Sequence, residues 1–140
     1  MSAGTVLAIT AEQIMTRMLP EMGAAYSQGS AAVTALLLRF AAQEFERGAD
    51  IRARENTELR ALFARIAPAV QDVALRERLT AAAATHDASL SISALDAANA
   101  ALKTLLIDAH AHLERIGADD AARRIWGALK TMGSRRIVSL

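Results

Sequence analysis

From Leu95 to Ile116 the apolar positions fall on one face of a helix. Leu95, Ala98, Leu102, Leu105, Ala109, His112 and Ile116 follow a seven-residue pattern, and Leu106 and Leu113 widen the stripe. Ser93, three residues before Asp96, reads as the start of this helix, and Gly117 as its stop. The same period predicts two flanking helices. Asp72 caps one that carries Leu75, Leu79, Ala82, Ala83 and His86, followed by a polar stretch from Asp87 to Ser93. Asp119 or Asp120 caps the other, which turns Ile125, Trp126, Leu129 and Met132 inward.

In the first half of the chain Thr10 stands three residues before Gln13, the spacing of a capping box, with Ile9 and Ile14 placed as a hydrophobic staple. A helix is predicted from there, with Ile14, Met15, Met18, Leu19 and Met22 in one stripe and Pro20 kinking or dividing it near its end. After a connection from Gly23 to Ser30, a second helix reaches Arg47 with Val33, Leu36, Leu37, Phe40 and Ala41 on its apolar face. Gly48 is a stop signal and Asp50 a new cap, yet Ile51, Leu59, Leu62, Phe63 and Ile66 continue the period up to Pro68. Two helices, or one helix from Ala31 to Ala67 bent near Gly48, both fit.

These elements predict an all-α fold, an antiparallel bundle of four main helices with extra short helical segments. A single domain over residues 1–140 is expected, with 1–9 and 134–140 as flexible or partner-contacting tails. Composition agrees, because two prolines and seven glycines in 140 residues are fewer than the turns of an all-β chain would need. Of the residues, 53% are hydrophobic but only 4% aromatic, and the surplus is alanine, the best helix former.

A formal net charge of +1 supplies no overall field toward nucleic acid or an anionic membrane. With no cysteine there are no disulfides, thiolate metal sites or thiol nucleophiles. The first ten residues lack the basic start and apolar core of a secretory signal, and the apolar stretch Ala31 to Leu38 falls short of the roughly 20 residues a membrane span takes. A cytoplasmic location is therefore expected. Fourteen arginines against two lysines suggest a GC-rich bacterial genome.

The segment Leu105 to Glu114, LLIDAHAHLE, resembles the first-strand metal motif of amidohydrolase and TatD-type hydrolases, in which an Asp-x-His-x-His run ends a barrel strand. The resemblance implies that His110 and His112 bind a catalytic divalent metal. It covers about ten residues, and only a short stretch without histidine follows, where a barrel would need further strands and ligands. On a helix, residues two apart point about 200° from one another and cannot share an ion. The helical reading therefore removes this motif, and His110 is expected in solvent.

It also creates another constellation. His112 lies on the apolar stripe with Asp108 one turn before it, at the spacing at which two side chains meet, and Asn99 lies along the stripe's edge. Glu44, Glu55 and His86 follow apolar stripe residues on other helices. The structural expectation is a buried or half-buried His112 bonded to Asp108, with Glu44 and Glu55 leaning out to solvent. A ligand-binding bundle would instead use His112, Asp108, Asn99 and His86 to orient a small molecule in an apolar interhelical pocket. A metal-binding bundle would use His112, His86, Glu44 and Glu55, although no glutamate stands three residues before a histidine as in di-iron bundles. No nucleophile, base and oxyanion donor group together, so no catalytic residue and no cofactor is assigned.

Partner signals are of three kinds. Arg123, Arg124, Lys130, Arg135 and Arg136 gather near the C-terminus without interleaved aromatics, and this reads as a solvated face rather than a nucleic-acid site. Met15, Met18, Met22 and Met132 suit a core at helical spacing, or an adaptable groove. Leu36, Leu37 and Leu38 occupy three consecutive helical positions and cannot all face one core. With Val6, Leu7, Ile9, Ile137, Val138 and Leu140 near the ends, this surplus predicts self-association into a homodimer, or docking to another protein. The function expected from sequence is thus a non-enzymatic helical bundle that works through association.

Overall fold

A computed structural model describes residues 2–136, and these residues form helices and no strand. The tail residues Ile137, Val138 and Leu140 lie outside the described residues. Five helices carry the fold: α1 (Ala3–Gln13), α2 (Ala25–Ile66), α3 (Val73–Ala83), α4 (Ile92–Arg115) and α5 (Asp119–Arg135). Short helical pieces extend α1 over Ile14–Met18 and Leu19–Glu21, and α2 over Ala67–Ala69. The expected all-α helical bundle is present, with five helices rather than four. No helix among the described residues is long and apolar enough to cross a membrane.

Two compact units divide the chain, one reaching to Gly48 and one beginning at Ala49. Gly48 does not stop α2, which is one helix of 42 residues. Asp50 therefore caps nothing; it pairs with Arg54 one turn on.

The second unit is a four-helix bundle. Arg52 pairs with Asp96, Asn56 with Asn99, and the Gln71 N–H with His112, so α2 and α4 run in the same direction. Between them α3 returns, taking its neighbours in reverse order, with Arg78 on Asp108 and the following loop on Arg60. From the far end of α5, Arg135 and Arg136 reach Glu58 and Glu55, so α5 runs back along α2. Helices consecutive in the chain are thus antiparallel neighbours, the up-down-up-down arrangement that short loops favour.

Its core joins Leu59, Leu62, Phe63 and Ile66 of α2 to Leu79 of α3, Leu102, Leu105, Leu106 and Leu113 of α4, and Ile125 and Met132 of α5. Each such side chain fully buried contributes roughly 1.5–3 kcal/mol, and these stripes hold the unit together. The helix ends are set by local bonds. The Asp72 carboxylate accepts from the Leu75 N–H at 2.9 Å. Ser91, two residues ahead of the expected Ser93, caps α4 through the Ala94 N–H. Gly117 ends α4 with φ +67°, a conformation other residues adopt only at a cost, and the Ala118 N–H returns to the Leu113 carbonyl at 2.9 Å. Asp119 and Asp120 are not the cap of α5; they fill its first turn, where negative charge complements the helix dipole.

The first unit is a helical hairpin. Its N-cap is Ser2 and not Thr10: Ser2 Oγ accepts from the Thr5 N–H and donates to Glu46 Oε1 at 2.8 Å. Thr10 lies mid-helix with its hydroxyl on the Val6 carbonyl, so the capping-box reading fails because the preceding residues are already helical. Residues 3–9 form the first part of α1, with Ser2 as its cap, and residues 134–136 belong to α5 or its cap. Over Ile14–Met18 the helix widens by a π turn, with the Leu19 N–H on the Ile14 carbonyl. Pro20 follows, and its ring is incompatible with a regular α turn onto residue 16.

The hairpin seam is built from small side chains. Gly4 and Ala11 are buried on α1, and Ala35 and Ala42 on α2, with Leu7, Ile14, Ala31 and Leu38 half buried beside them. At Gly4 an added Cβ would come within 2.5 Å of Glu46 Oε1, the end of an α2 side chain that reaches over the start of α1. The face that the sequence marked as inward, Val33, Leu36 and Leu37, points outward instead. On a 100° helical step, Ala35 and Ala42 lie nearly opposite Val33 and Leu37, and α1 packs on the alanine side.

Candidate functional site

The bundle unit contains one extended polar cluster within its interior. Glu55, fully buried, accepts from Arg136 Nε and Nη2 at 2.7 Å each, from Asn99 Nδ2 at 3.2 Å and from Lys103 Nζ at 3.3 Å. Asn56, beside it and also fully buried, accepts from Asn99 at 2.9 Å and donates to the Leu95 carbonyl and to Asp87 Oδ1. Arg60 completes the row, donating to Asp87 at 2.7 Å and to the Thr85 hydroxyl at 2.9 Å.

Burial acts to raise the pKa of Glu55, but the Arg136 hydrogen bonds and the charges of Lys103 and Arg136 outweigh it and hold the carboxyl below its ordinary range. For Asp87 the Arg60 hydrogen bond is the largest influence, and it also lowers the pKa against the effect of burial. Both groups are carboxylates at neutral pH, each satisfied by donors of this chain. Such a network ties α2, α4, the α3–α4 loop and α5 in one register, and it presents no reactive group.

Asn99 therefore belongs to this cluster, while the other residues expected to share a site with it lie elsewhere. His112 is 13 positions further along α4, about 20 Å at 1.5 Å per residue. It is buried, as expected, but its partner is not Asp108. The Gln71 N–H donates to Nε2 at 3.1 Å, and on the other side of the ring Nδ1 lies 3.1 Å from Arg115 Nη2. Asp108 instead pairs with Arg78 at the surface.

His86 does not lie on a helix stripe, because α3 ends at Ala83 and the residue is exposed in the loop beyond it. His112 touches the segment just before α3, so the two histidines stand at opposite ends of that 11-residue helix and do not converge. Glu44 is exposed, about three helical turns before Glu55 on α2. Glu55 is inside the bundle, contrary to the expectation that it leans into solvent, because Asn99, Lys103 and Arg136 supply donors there. Among the described residues no three His, Asp or Glu side chains group as metal ligands.

His110 is not solvated. Its ring packs edge-on against Trp126, centroids 5.3 Å apart, and Nε2 is shielded from solvent, 3.3 Å from Glu114 Oε1 without hydrogen-bond alignment. Trp126, expected inside, is 59% exposed and forms the outer side of that contact. The segment that resembles a hydrolase strand motif is thus mid-helix, with His110 and His112 serving different neighbours.

Of the five basic residues near the C-terminus, three pair with carboxylates of this chain: Arg123 with Asp120, Arg135 with Glu58 and Arg136 with Glu55. Met18 and Met22, with Ile14 and Tyr26, line an open cleft of ≈ 360 Å³ in the hairpin, whereas Met15 is exposed and Met132 is in the bundle core.

The strongest unpartnered feature is the outer face of α2. Tyr26 is 89% exposed, Val33 57% and Leu37 60%, with Leu36 exposed and Phe40 half buried between them. Positions 26, 33, 36, 37 and 40 share one side of the helix, turned away from the alanine seam. Sequence had selected Val33, Leu36, Leu37 and Phe40 as an apolar face; it could not tell which of two faces α1 would take. No protein-family model, curated protein or solved structure matches the chain.

Proposed function

We propose that this protein works by self-association, as a homodimer in which the outer face of α2 packs against the same face of a second copy. The supporting observation is the inversion of the hairpin: α2 spends Ala35 and Ala42 on its contact with α1 and leaves Val33, Leu36 and Leu37 in water. A large aliphatic stripe beside a small-residue seam is the reverse of what burial favours in an isolated hairpin, and a second helix on the stripe restores the balance.

The charge of this region suits a copy of itself. Residues 1–48 carry Arg17, Arg39 and Arg47 against Glu12, Glu21, Glu44 and Glu46, nearly balanced, so two copies meet without a net repulsive field. A two-fold interface requires one patch complementary to itself, and an aliphatic stripe meets that requirement.

Native mass spectrometry and light scattering of the whole chain test the reading. A dimer is expected for the wild type. The double substitution Val33→Glu with Leu37→Glu is expected to give a monomer whose helicity by circular dichroism is unchanged, since neither side chain is in a core. A wild type that stays monomeric at high micromolar concentration overturns the proposal, as does a dimer unaffected by the two glutamates.

A further inference from the structure

We infer that the two α2 helices of this dimer pair antiparallel, about a two-fold axis that passes between Leu36 and Leu37. The inference rests on the self-association just proposed and adds its register. Along the outer side of α2 the residues in order are Tyr26, Gly29, Ser30, Val33, Leu36, Leu37, Phe40, Gln43, Glu44 and Arg47. Turned end for end about the midpoint, this row matches itself level by level.

Val33 then faces Phe40 of the second copy, and Leu36 faces Leu37, so the exposed aliphatic residues form one continuous layer. Ser30 faces Gln43, a polar pair, and Gly29 leaves room opposite the longer Glu44. At each end Arg47 meets the exposed ring of Tyr26, and a guanidinium on an aromatic face is attractive. A parallel pairing sets every residue against its own copy. It brings Arg47 to Arg47 at the same level, like charges in contact, and places Tyr26 against Tyr26 with no cation. Charge and side-chain size therefore favour the antiparallel register.

Because the chain has no cysteine, single thiols report the register in an otherwise unreactive protein. Three variants of the full chain are made separately: Leu37→Cys, Val33→Cys and Phe40→Cys. In either orientation Leu37→Cys lies near the axis and forms a disulfide dimer with a mild oxidant, so it reads association alone.

The other two variants read direction. In the antiparallel register two copies of residue 33 are seven positions apart along the axis, about 10 Å, beyond the roughly 7 Å Cα separation that a disulfide spans. Val33→Cys and Phe40→Cys are each expected to stay unlinked alone and to give the mixed disulfide as the dominant product when combined. Self-linked Val33→Cys, or a combined sample with no mixed product while Leu37→Cys links, overturns the register and leaves the dimer standing. Failure of Leu37→Cys to link, together with a monomeric wild-type mass, removes the dimer and the register together.

Discussion

Arg136 grips Glu55 with two nitrogens, Nε and Nη2, each 2.7 Å from a carboxylate oxygen 81 positions earlier in the chain. Near the end of the described chain, the last turn of α5 is thereby fastened to the buried side of α2 within the bundle unit. Removing one partner of a buried ion pair leaves the other charge uncompensated, at a cost of about 3–5 kcal/mol when both are enclosed. Arg136 is partly in water, and Lys103 and Asn99 remain on Glu55, so Arg136→Ala is expected to lower stability by about 1–3 kcal/mol. Equilibrium urea unfolding reads this as a lower midpoint at unchanged slope. Arg135→Ala, which loosens the more exposed pair with Glu58, is expected to cost less than about 1 kcal/mol.

Acid is expected to weaken the fold through the same cluster. The folded pKa values of Glu55 and Asp87 lie below the ordinary 4.5 and 3.8, so folding favours the deprotonated forms. A depressed carboxylate pKa contributes stability that is complete above the unfolded value and is lost as pH falls through the folded one. Urea midpoints measured at a series of pH values should hold level from neutral pH down to about 5 and then fall through the region below 4. Glu55→Gln should make that acid limb shallower. A midpoint that falls instead between pH 8 and 6 contradicts the assignment.

The two histidines once grouped together are expected to behave oppositely. His112→Ala orphans the Gln71 N–H and opens a cavity beside α3, a loss of about 2–4 kcal/mol. His86→Ala, on an exposed loop residue, should stay within about 0.5 kcal/mol of the wild type. Thermal unfolding of both, side by side, gives the comparison.

Overpacking tests the alanine seam. Ala35 is fully buried and Ala41 is exposed on the same helix. Ala35→Leu must push α1 and α2 apart and is expected to cost about 1–3 kcal/mol, whereas Ala41→Leu should have little effect. Equal urea midpoints for the two variants would remove the inverted hairpin from consideration.

At Gly117 a side chain meets open space but not an easy backbone, since φ is +67°. Gly117→Ala is expected to destabilise by about 1–2 kcal/mol, measured as a shift in unfolding midpoint.

How far the sequence carried differs between the two units. Helix α4 was legible almost residue by residue, because a wide stripe of leucines over 24 residues has one buried solution, and Leu95, Leu102, Leu105, Leu113 and His112 all took it. Asp72 and Gly117 were legible because a cap and a left-handed glycine act through their nearest neighbours. The α1–α2 hairpin was misread because helix periodicity ranks faces by hydrophobicity, while close helix approach selects small residues. Ser2 and Glu46, which fix the start of α1, are 44 positions apart, a relation no local pattern contains. The polar cluster was half visible: Asn99 and Glu55 each stood near a stripe, but their meeting depends on which helices dock. His86 was misplaced because α3 ends at Ala83, three residues before it.

The π turn over Ile14–Met18 has a consequence for chain length. An ordinary helix turns about 100° with every added residue, so an insertion swings everything beyond it off its face. A π turn takes up one additional residue within a single loop of the helix, and Ile14 and Met18 stay on the side that lines the hairpin cleft. Between Gln13 and Leu19 the hairpin is therefore tolerant of length where it is strict elsewhere. A version of this chain with one residue deleted there would keep Gly4 and Ala11 together on the alanine seam, since both precede the π turn, whereas the same deletion between Gly4 and Ala11 would turn Ala11 out of it.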